Sequence, residues 1–442
     1  MAAGCAGDPA KRSVHDSAGA GGEGGGVETA SGGSSMSAGG DVGAAGELST
    51  GTVEAGAGGM PPSDVVPQGG VPATGGAADE PTAGAAGAPN LPLPPLPQCE
   101  GVLSFADSYV EQQVRAALDM PSGPLTAADV ADLTTLAIPF NDSGINITGL
   151  ECLSGLVSLD FSGGGGGDPL SVLGLLPKLR SIDFSNGYLT SVPDLSDVPQ
   201  ITALDLSRNR ITDYAPLANM PKLRRLNLSG TGDFNQSPVA ITPLAALTKL
   251  TSLELGNVTI DDVTPLGSLS QLQELSLSSA RLKGVVPLAA LTKLTALNLE
   301  NTKLTAVPNL SAQTQLTTLD IANNTIADFT PLSGLVTLTS LNVANTKLTD
   351  LASLAPLTQL VTLDISSNSV ASITVLGSLP ALHVLDVSFN PITSLQPLVD
   401  SAYIGSGDEV TALLSDCGDT NLATIAALIA KGVTVTNACG VE

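Results

Sequence analysis

The side chains that most often perform catalysis are scarce in this sequence of 442 residues. Hydrolytic and redox chemistry needs several convergent groups with tuned pKa values. The two histidines are His15 and His383, and neither stands in a pattern that supplies a serine or cysteine nucleophile. The C-x-x-C, H-E-x-x-H and G-x-x-x-x-G-K-[ST] motifs are missing, and no lysine follows the glycine run 163–167. We therefore expect no enzymatic activity, no metal centre and no cofactor.

Five cysteines remain as reactive groups, and the first lies in the segment MAAGCAG at residues 1–7. Ala-Ala-Gly-Cys resembles the lipobox of bacterial lipoproteins, which implies that Cys5 becomes a lipidated amino terminus. The basic and apolar segments of a signal peptide do not precede Cys5 in this sequence. The alternative is an unmodified cysteine in a tail of small residues.

The other four cysteines stand near the two ends of the region that follows the tail. Cys99 and Cys152 lie at its start, and Cys417 and Cys439 lie at its end, 22 residues apart. This interval equals that of the repeat described below, and adjacent strands about 5 Å apart are within reach of a disulfide. We predict the pairs Cys99–Cys152 and Cys417–Cys439, which imply an oxidising compartment. The alternative is four reduced thiols in a cytosolic protein.

Residues 1–98 differ from the rest of the chain in composition. They are mostly Gly, Ala, Ser and Pro, with ten acidic residues against Lys11 and Arg12. Such a segment buries too little apolar surface to offset the entropy of folding, so we predict a disordered Gly/Ala/Pro-rich tether.

The pattern L-x-x-L-x-L recurs along the remainder at intervals of 22 or 23 residues, apart from one interval of 27. Its first positions are Leu133, Leu156, Leu179, Ile201, Leu223, Leu250, Leu272, Leu294, Leu316, Leu338, Leu360 and Leu382. These twelve units have the signature of leucine-rich repeats. The alternation within L-x-L predicts one short strand per unit. A short helical segment should follow each turn, beginning at prolines such as Pro265 and Pro331.

One short strand cannot bury its apolar face alone, so stacked units must share a parallel sheet. We predict an α/β leucine-rich-repeat solenoid, a horseshoe whose parallel sheet lines the concave side. The turn position that carries Asn in several units holds Val258 and Ala280 in two others, where we expect local irregularity. The insertion TGDFNQSPVA at 231–240 accounts for the long unit and should project as a loop.

Both ends of the array have sequences suited to caps. DSYVEQQVRAALDM at 107–120 predicts a helix capped by Asp107, and T-A-A-D at 126–129 predicts a capping box. NLATIAALIAKG at 421–432 predicts a helix capped by Asn421, before a final strand. The predicted divisions are a tether at 1–98, an amino-terminal cap at 99–132, repeats at 133–404 and a carboxyl-terminal cap at 405–442.

The phrases DVTPLGSLSQ at 262–271 and DFTPLSGLVT at 328–337 carry the pattern T/D-x-x-P-L-x-x-L-x-x-L. This pattern resembles internalin-like bacterial leucine-rich-repeat proteins over residues 104–440. The resemblance implies surface adhesion and binding to host or neighbouring cells. With Cys5, it implies a lipid-anchored protein of the cell surface or outer membrane, and a secreted or cytoplasmic protein is the alternative.

The folded part is acidic, with 32 of the 42 Asp and Glu but 15 of the 17 Lys and Arg in residues 99–442. This balance argues against nucleic-acid binding, which depends on neutralising phosphates. Tryptophan is absent, so aromatic stacking platforms are not expected. Because no run of about 20 apolar residues exists, membrane contact is expected only through a lipid at Cys5.

The residue between the two apolar positions of each L-x-L belongs to a predicted column on the concave face. The column begins at Ala137 and includes Ser276, and its acidic and amide members are Asp160, Asp183, Asp205, Asn227, Glu254, Asn298, Asp320, Asn342, Asp364 and Asp386. Exposed carboxylates about 4.8 Å apart repel by a little under 1 kcal/mol in water. A basic protein partner or a cation would relieve this repulsion. The alternative is a column of solvated side chains.

A basic patch accompanies the column in the third to fifth units. It comprises Lys178, Arg180, Arg208, Arg210, Lys222 and Arg224, and Arg225 adds a positive charge on the concave face itself. We interpret this charge-mixed zone as the contact site for a specific partner. The alternative is internal ion pairing that neutralises Asp183 and Asp205.

These observations favour a non-enzymatic protein-binding module, displayed on a bacterial cell surface, that recognises a protein ligand through its concave face. Two alternatives stay open, a structural self-associating envelope protein and a cytosolic interaction scaffold. Reduced cysteines and an unmodified Cys5 would favour the cytosolic scaffold.

Overall fold

The computed structural model describes residues 99–139, 144–164, 167–168, 170–233, 235–284, 286–414 and 418–437. The predicted tether and Cys5, Cys417 and Cys439 lie outside these residues. Within the described ranges, fourteen parallel strands form one sheet in chain order. They are β1 Thr135–Ala137, β2 Ser158–Asp160, β3 Ser181–Asp183, β4 Ala203–Asp205, β5 Arg225–Asn227, β6 Ser252–Glu254, β7 Glu274–Ser276, β8 Ala296–Asn298, β9 Thr318–Asp320, β10 Ser340–Asn342, β11 Thr362–Asp364, β12 Val384–Asp386, β13 Glu409–Ala412 and β14 Thr434–Asn437.

The predicted repeat pattern places a buried residue at the centre of each of the first twelve strands. Leu204, for example, is paired with Ile182 and Leu226 of the neighbouring strands, and it is buried with them. The remaining leucines of each unit stack behind the sheet in the same way. The twelve units therefore share one continuous apolar core, and the predicted leucine-rich-repeat solenoid is confirmed.

Short 3₁₀ segments return the chain behind the core. Pro265 is the second residue of the segment Thr264–Ser268 and Pro331 is the second of Thr330–Gly334, in the first turn that their fixed φ favours. The other segments are Leu150–Cys152, Leu170–Leu175, Ala215–Asn219, Thr242–Ala246, Leu288–Ala290, Ala352–Leu354 and Thr374–Ser378.

Buried asparagines join successive units at the turn after the strand. The amide nitrogen of Asn324 donates to the carbonyls of Leu299 and Ile321 at 2.9 and 2.8 Å. Its Oδ1 accepts from the backbone N–H of Thr302 and Leu304 at 3.1 and 2.9 Å. Asn209, Asn368 and Asn390 are buried in the same way.

The two units without a polar residue at this turn, where we expected irregularity, form an extra pair of short strands. After Val258 and Ala280 the chain forms the short strands Thr259–Ile260 and Arg281–Leu282, which pair in parallel. The N–H of Arg281 donates to the carbonyl of Val258 at 2.9 Å. Backbone pairing therefore meets the hydrogen-bonding need that Asn side chains meet elsewhere. A similar pair, Ile145–Asn146 with Gly167–Asp168, stands near the first glycine-rich turn.

The amino-terminal cap contains helix α1, Ser108–Ala117, and helix α2, Ala127–Val130. Asp107 caps α1 by accepting a 2.8 Å hydrogen bond from the N–H of Tyr109, and Thr126 with Asp129 forms the predicted capping box. The sulfur atoms of Cys99 and Cys152 lie 2.05 Å apart, at disulfide distance.

Helix α3, Gln396–Asp400, lies at the end of the predicted repeats, and the predicted carboxyl-terminal cap contains helix α4, Asp419–Ala430, and the last two strands of the sheet. The prediction that Asn421 caps α4 was wrong, because Gly418 occupies the cap position and Asn421 lies buried within the helix. None of the helices in the described ranges has the length and apolarity of a membrane span.

Candidate functional site

The exposed face of the sheet aligns the predicted column. Asp183 is paired in register with Asp160 and Asp205, and Asp320 is paired with Asn298 and Asn342. The same register continues through every strand from β1 to β12, so all ten polar members lie along one line. The first residues of the strands form a second column, which is mostly Ser, Thr and Ala but includes Arg225 and Glu274.

Asp and Asn have a structural role in this column. In nine units the Oδ1 atom accepts a hydrogen bond from the backbone N–H two residues later, at 2.7–3.0 Å. This Asx turn leads the chain out of the sheet at the end of the strand. The nine residues are Asp160, Asp183, Asp205, Asn227, Asn298, Asp320, Asn342, Asp364 and Asp386. Their recurrence therefore has a folding cause that requires no ligand.

Glu254 departs from this rule. The N–H of Gly256, which an Asx turn would bond to residue 254, instead donates to Oγ of Ser229 at 3.2 Å. Among the hydrogen bonds of the described residues, none reaches the carboxylate of Glu254, which lies at the sheet surface. The turn therefore does not require an acidic residue at position 254.

Glu254 forms one wall of a shallow hollow of about 420 Å³ on the sheet face, which we call the acidic hollow. Asp160, Asp183 and Asp205 line it along the column, and Arg225 enters from the neighbouring column. The amide nitrogen of Asn227, between Asp205 and Glu254, donates to Oδ2 of Asp205 at 3.1 Å. The hollow thus holds four carboxylates and one guanidinium.

The carboxylates influence one another. Partial burial, followed by the negative charges of Asp205 and Glu274, raises the pKa of Glu254 above its ordinary value. Burial also raises the pKa of Asp320, against the lowering effect of the hydrogen bond from the N–H of Ala322. A nearby cation would favour the charged form of Glu254, so the acidic hollow is electrostatically suited to a positive group.

Internal ion pairing does not neutralise the column. The ion pairs within the described residues join Arg115 to Glu111, Lys283 to Asp261 and His383 to Asp408. The alternative in which basic residues pair with Asp183 and Asp205 was therefore wrong for this part of the chain. His383 Nδ1 lies 2.5 Å from Oδ1 of Asp408, so this histidine links the last repeat to the carboxyl-terminal cap.

The structure divides the predicted basic patch between the two edges of the sheet. Lys178, Arg180, Lys222 and Arg224 precede their strands and lie at the amino edge, where the strands begin. Arg208 and Arg210 follow β4 and lie at the carboxyl edge, where the strands end. A strand of three residues separates the edges by about 10 Å. The patch is therefore not one surface, and only Arg225 reaches the acidic hollow.

Two basic residues that the sequence interpretation omitted belong with the first group. Lys249 and Lys293 precede the anchor leucines Leu250 and Leu294, as Lys178 and Lys222 precede theirs. The signal that could have found them is this shared position in the repeat.

Arg208 and Arg210 line a second hollow of about 430 Å³ beside the insertion at 231–240. The guanidinium of Arg210 lies 5.5 Å from the ring centroid of Tyr188, which is 68% exposed. Arg208 has a φ of 56°, at a position where most other units have Asn, Ser or Gly and one has Phe389. Within the described residues, no cluster of three or more His, Cys, Asp or Glu is placed to hold a metal ion.

Comparison with protein families gives matches inside the repeat array. Residues 314–356 and 358–399 each match the family described as leucine-rich repeats in two copies, and residues 200–213 match a single leucine-rich repeat. A comparison with curated protein sequences finds no match.

Solved structures extend the similarity to most of the chain. An internalin of Listeria monocytogenes, InlF, is 26% identical with a TM-score of 0.56, over 71% of this chain and 96% of that chain. A leucine-rich-repeat protein of Leptospira interrogans is 19% identical with a TM-score of 0.53, over 70% and 85%. The functional domain of InlJ from Listeria monocytogenes, which includes a cysteine ladder, is 21% identical with a TM-score of 0.50, over 75% and 80%.

The last two similarities, at 19% and 21% identity, establish the fold. The repeat matches and the similarity to InlF over 96% of that chain agree with this fold. Together they show a leucine-rich-repeat protein that is similar to the internalins.

Proposed function

We propose that this protein is a non-enzymatic binding module that holds a basic segment of a protein partner in the acidic hollow. The observation that carries the proposal is Glu254. It has no part in the Asx turns, Asn227 alone separates it from Asp205 in the column, and burial and the charges of Asp205 and Glu274 raise its pKa. A Lys or Arg side chain of the partner would favour the ionised form of Glu254 and relieve the repulsion.

A protein is a better ligand than a small molecule for this surface. Small-molecule sites are enclosed and mostly apolar, whereas the acidic hollow is shallow and lined by carboxylates, serines and Arg225. The surrounding columns of small side chains leave a long, even face against which an extended partner can lie. Arg225 would then contact an acidic group of the same partner, next to its basic group.

We also propose display on the cell surface. Cys99 and Cys152 at disulfide distance suit an oxidising compartment, and Ala-Ala-Gly-Cys at Cys5 suits a lipid anchor. Mass spectrometry of the natively produced protein tests both points through the mass of the Cys5 peptide and through thiol labelling. An unmodified Cys5 together with freely labelled Cys99, Cys152, Cys417 and Cys439 would support the cytosolic scaffold instead.

The recognition proposal is tested with variants that change charge but keep the turns. Asp183→Asn and Asp205→Asn preserve the Oδ1 acceptor of the Asx turn, and Glu254→Gln keeps the size of the side chain. We expect the triple variant to bind the protein partner at least about tenfold more weakly than the wild type. The reason is that a charge-assisted contact contributes about 1.5–3 kcal/mol.

The matched control is the pair Asp364→Asn and Asp386→Asn, at the far end of the same column. It makes the same chemical change outside the acidic hollow, so it should bind the partner as the wild type does. If the triple variant and the control bind the partner equally well, the acidic hollow is not the recognition site.

A further inference from the structure

The amino edge of the sheet carries a second charged feature with the opposite sign. In units three, five, six and eight, basic side chains occupy one or both of two positions of the repeat, just before and just after the anchor residue. They form the amino-edge strip, which comprises Lys178, Arg180, Lys222, Arg224, Lys249 and Lys293.

Backbone hydrogen bonds align the position after each anchor residue, which Arg180 and Arg224 occupy, and each of the four lysines precedes an anchor, two residues before this position in the chain. The N–H of Thr202 donates to the carbonyl of Arg180, the N–H of Arg224 to that of Thr202, and the N–H of Thr251 to that of Arg224, each at 2.8 Å. The same ladder continues through Gln273 to Thr295. With strands about 4.8 Å apart, five steps from β3 to β8 give the amino-edge strip a length of about 24 Å.

The positive charges of the amino-edge strip are exposed and are not neutralised by the protein. All six side chains lie on exposed residues, and none takes part in an ion pair within the described part of the chain. Lys293 Nζ donates to Oε1 of Gln271 at 2.6 Å, and Arg180 donates to the carbonyls of Pro177 and Leu179. These neutral partners orient the cations without cancelling their charge.

The clustering of positive charges in the amino-edge strip contrasts with the net charge of −25 for the whole sequence. Near the amino-edge strip, the acidic residues of these units are Asp197, before β4, and Glu274, at the start of β7. Six like charges on one edge of an acidic protein create a local positive potential that would draw a negatively charged ligand.

The neutral residues between the cations indicate the kind of ligand. Gln200, Thr202, Thr251, Gln271 and Gln273 occupy the same two positions of the repeat as the basic residues. The hydroxyls of Thr202 and Thr251 donate to the carbonyls of Arg180 and Arg224, so their oxygens can still accept hydrogen bonds from the hydroxyls of a ligand. Aromatic side chains, which would stack on nucleic-acid bases, do not occur at these positions. We propose that the amino-edge strip binds an extended acidic polysaccharide, through its charges to Lys and Arg and through its hydroxyls to Gln and Thr.

The full chain is titrated with two defined probes, polygalacturonate for carboxylates and heparin for sulfates, and with neutral dextran. The test variant is Lys222→Gln with Lys249→Gln, which removes adjacent charges from the centre of the amino-edge strip. Since each Lys near an anionic surface contributes about 1 kcal/mol, we expect binding of an acidic polymer to weaken by about 10–30-fold. Added salt should weaken wild-type binding as well.

The control variant is Arg281→Gln with Lys283→Gln, which removes two positive charges from the short sheet outside the amino-edge strip. It should bind as the wild type does. Equal losses in both variants would indicate a response to net charge, and absence of binding to both acidic polymers would overturn the proposal. Binding to poly-glutamate with the same strip dependence but not to either polysaccharide would also overturn it, in favour of an acidic protein ligand. These variants leave the acidic hollow unchanged. Their results therefore do not test the proposal that the acidic hollow binds a protein partner.

Discussion

The amide nitrogen of Asn227 donates to Oδ2 of Asp205 at 3.1 Å, while Oδ1 of Asn227 accepts the N–H of Ser229 at 2.9 Å. Asn227 therefore completes its own turn and also bridges to the carboxylate of the preceding strand. Asn342 makes the same two contacts, with Asp320 and Ala344. Neutral amides at these positions interrupt what would be longer runs of like charges.

Asn227→Asp should destabilise the protein, because it replaces a hydrogen-bond donor between Asp205 and Glu254 with a carboxylate. The column would then hold an unbroken run of five carboxylates. At about 5 Å in water, repulsion from two neighbours amounts to about 1–2 kcal/mol. Chemical denaturation at neutral pH would measure the loss, which should shrink in 1 M salt because charges are then screened over about 3 Å.

The comparison variant is Asn298→Asp, which has the neutral Ser276 on one side and Asp320 on the other. It should lose less stability than Asn227→Asp. A loss at Asn227 that is unaffected by salt would mean that repulsion is not its cause.

Asn368→Ala tests the buried ladder. The Asn368 amide donates to the carbonyls of Val343 and Ile365, and its Oδ1 accepts from the N–H of Thr346 and Leu348. Its removal leaves several buried backbone groups without partners, at about 1–3 kcal/mol each, so we expect a loss of at least about 3 kcal/mol. Asn309→Ala, at an exposed turn where Oδ1 accepts one hydrogen bond, should lose about 1 kcal/mol or less in the same denaturation experiment.

The repeat interval predicted the fold because each unit places the same residue types at the same depth. The sheet, its register and the column of Asp and Asn all follow from this one regularity. The role of the column was harder to predict. Asp and Asn share an acceptor three bonds from Cα, which suits an Asx turn, whereas the acceptor of Glu254 is one bond farther away.

The basic patch shows where proximity in sequence misleads. Arg180 and Arg208 belong to neighbouring units, yet one precedes its strand and the other follows it, so they lie at opposite edges. Sorting residues by position in the repeat would have separated them and added Lys249 and Lys293. The prediction that Asn421 caps α4 was wrong for another reason. Asn421 is buried, and its burial depends on tertiary contacts that the local sequence does not encode.

Phe389 occupies a left-handed backbone position, with a φ of 56°, that Asn323 and Asn345 occupy in other units. Asn tolerates this conformation better than an aromatic residue, and the Phe389 ring is 62% exposed, so its packing offsets little of the strain. Phe389→Asn should therefore stabilise the protein by about 1 kcal/mol in a thermal unfolding experiment. A lower melting temperature would mean that the exposed ring contributes more packing than strain.

The hydroxyls of Tyr214 and Thr231 lie 2.5 Å apart in the core beside the insertion. Because the Thr231 hydroxyl donates to the carbonyl of Leu228, Tyr214 is the donor in this pair. Burial raises the pKa of Tyr214 to about 12, against the lowering effect of the hydrogen bond with Thr231.

The raised pKa sets the direction of the pH dependence. In the unfolded protein the pKa of the Tyr214 hydroxyl is about 10, so below this pH Tyr214 is neutral in both the folded and the unfolded state. The full contribution of Tyr214 to the free energy of unfolding is therefore present below about pH 10. As the pH rises from about 10 to 12, the unfolded state ionises first, so about 2–3 kcal/mol of stability should be lost. Tyr214→Phe should lose about 1 kcal/mol at neutral pH through its missing hydrogen bond, but it should decline less steeply above pH 10. Tyr403→Phe, at a residue that is 55% exposed, is the control and should follow the wild-type curve in denaturant titrations across this range.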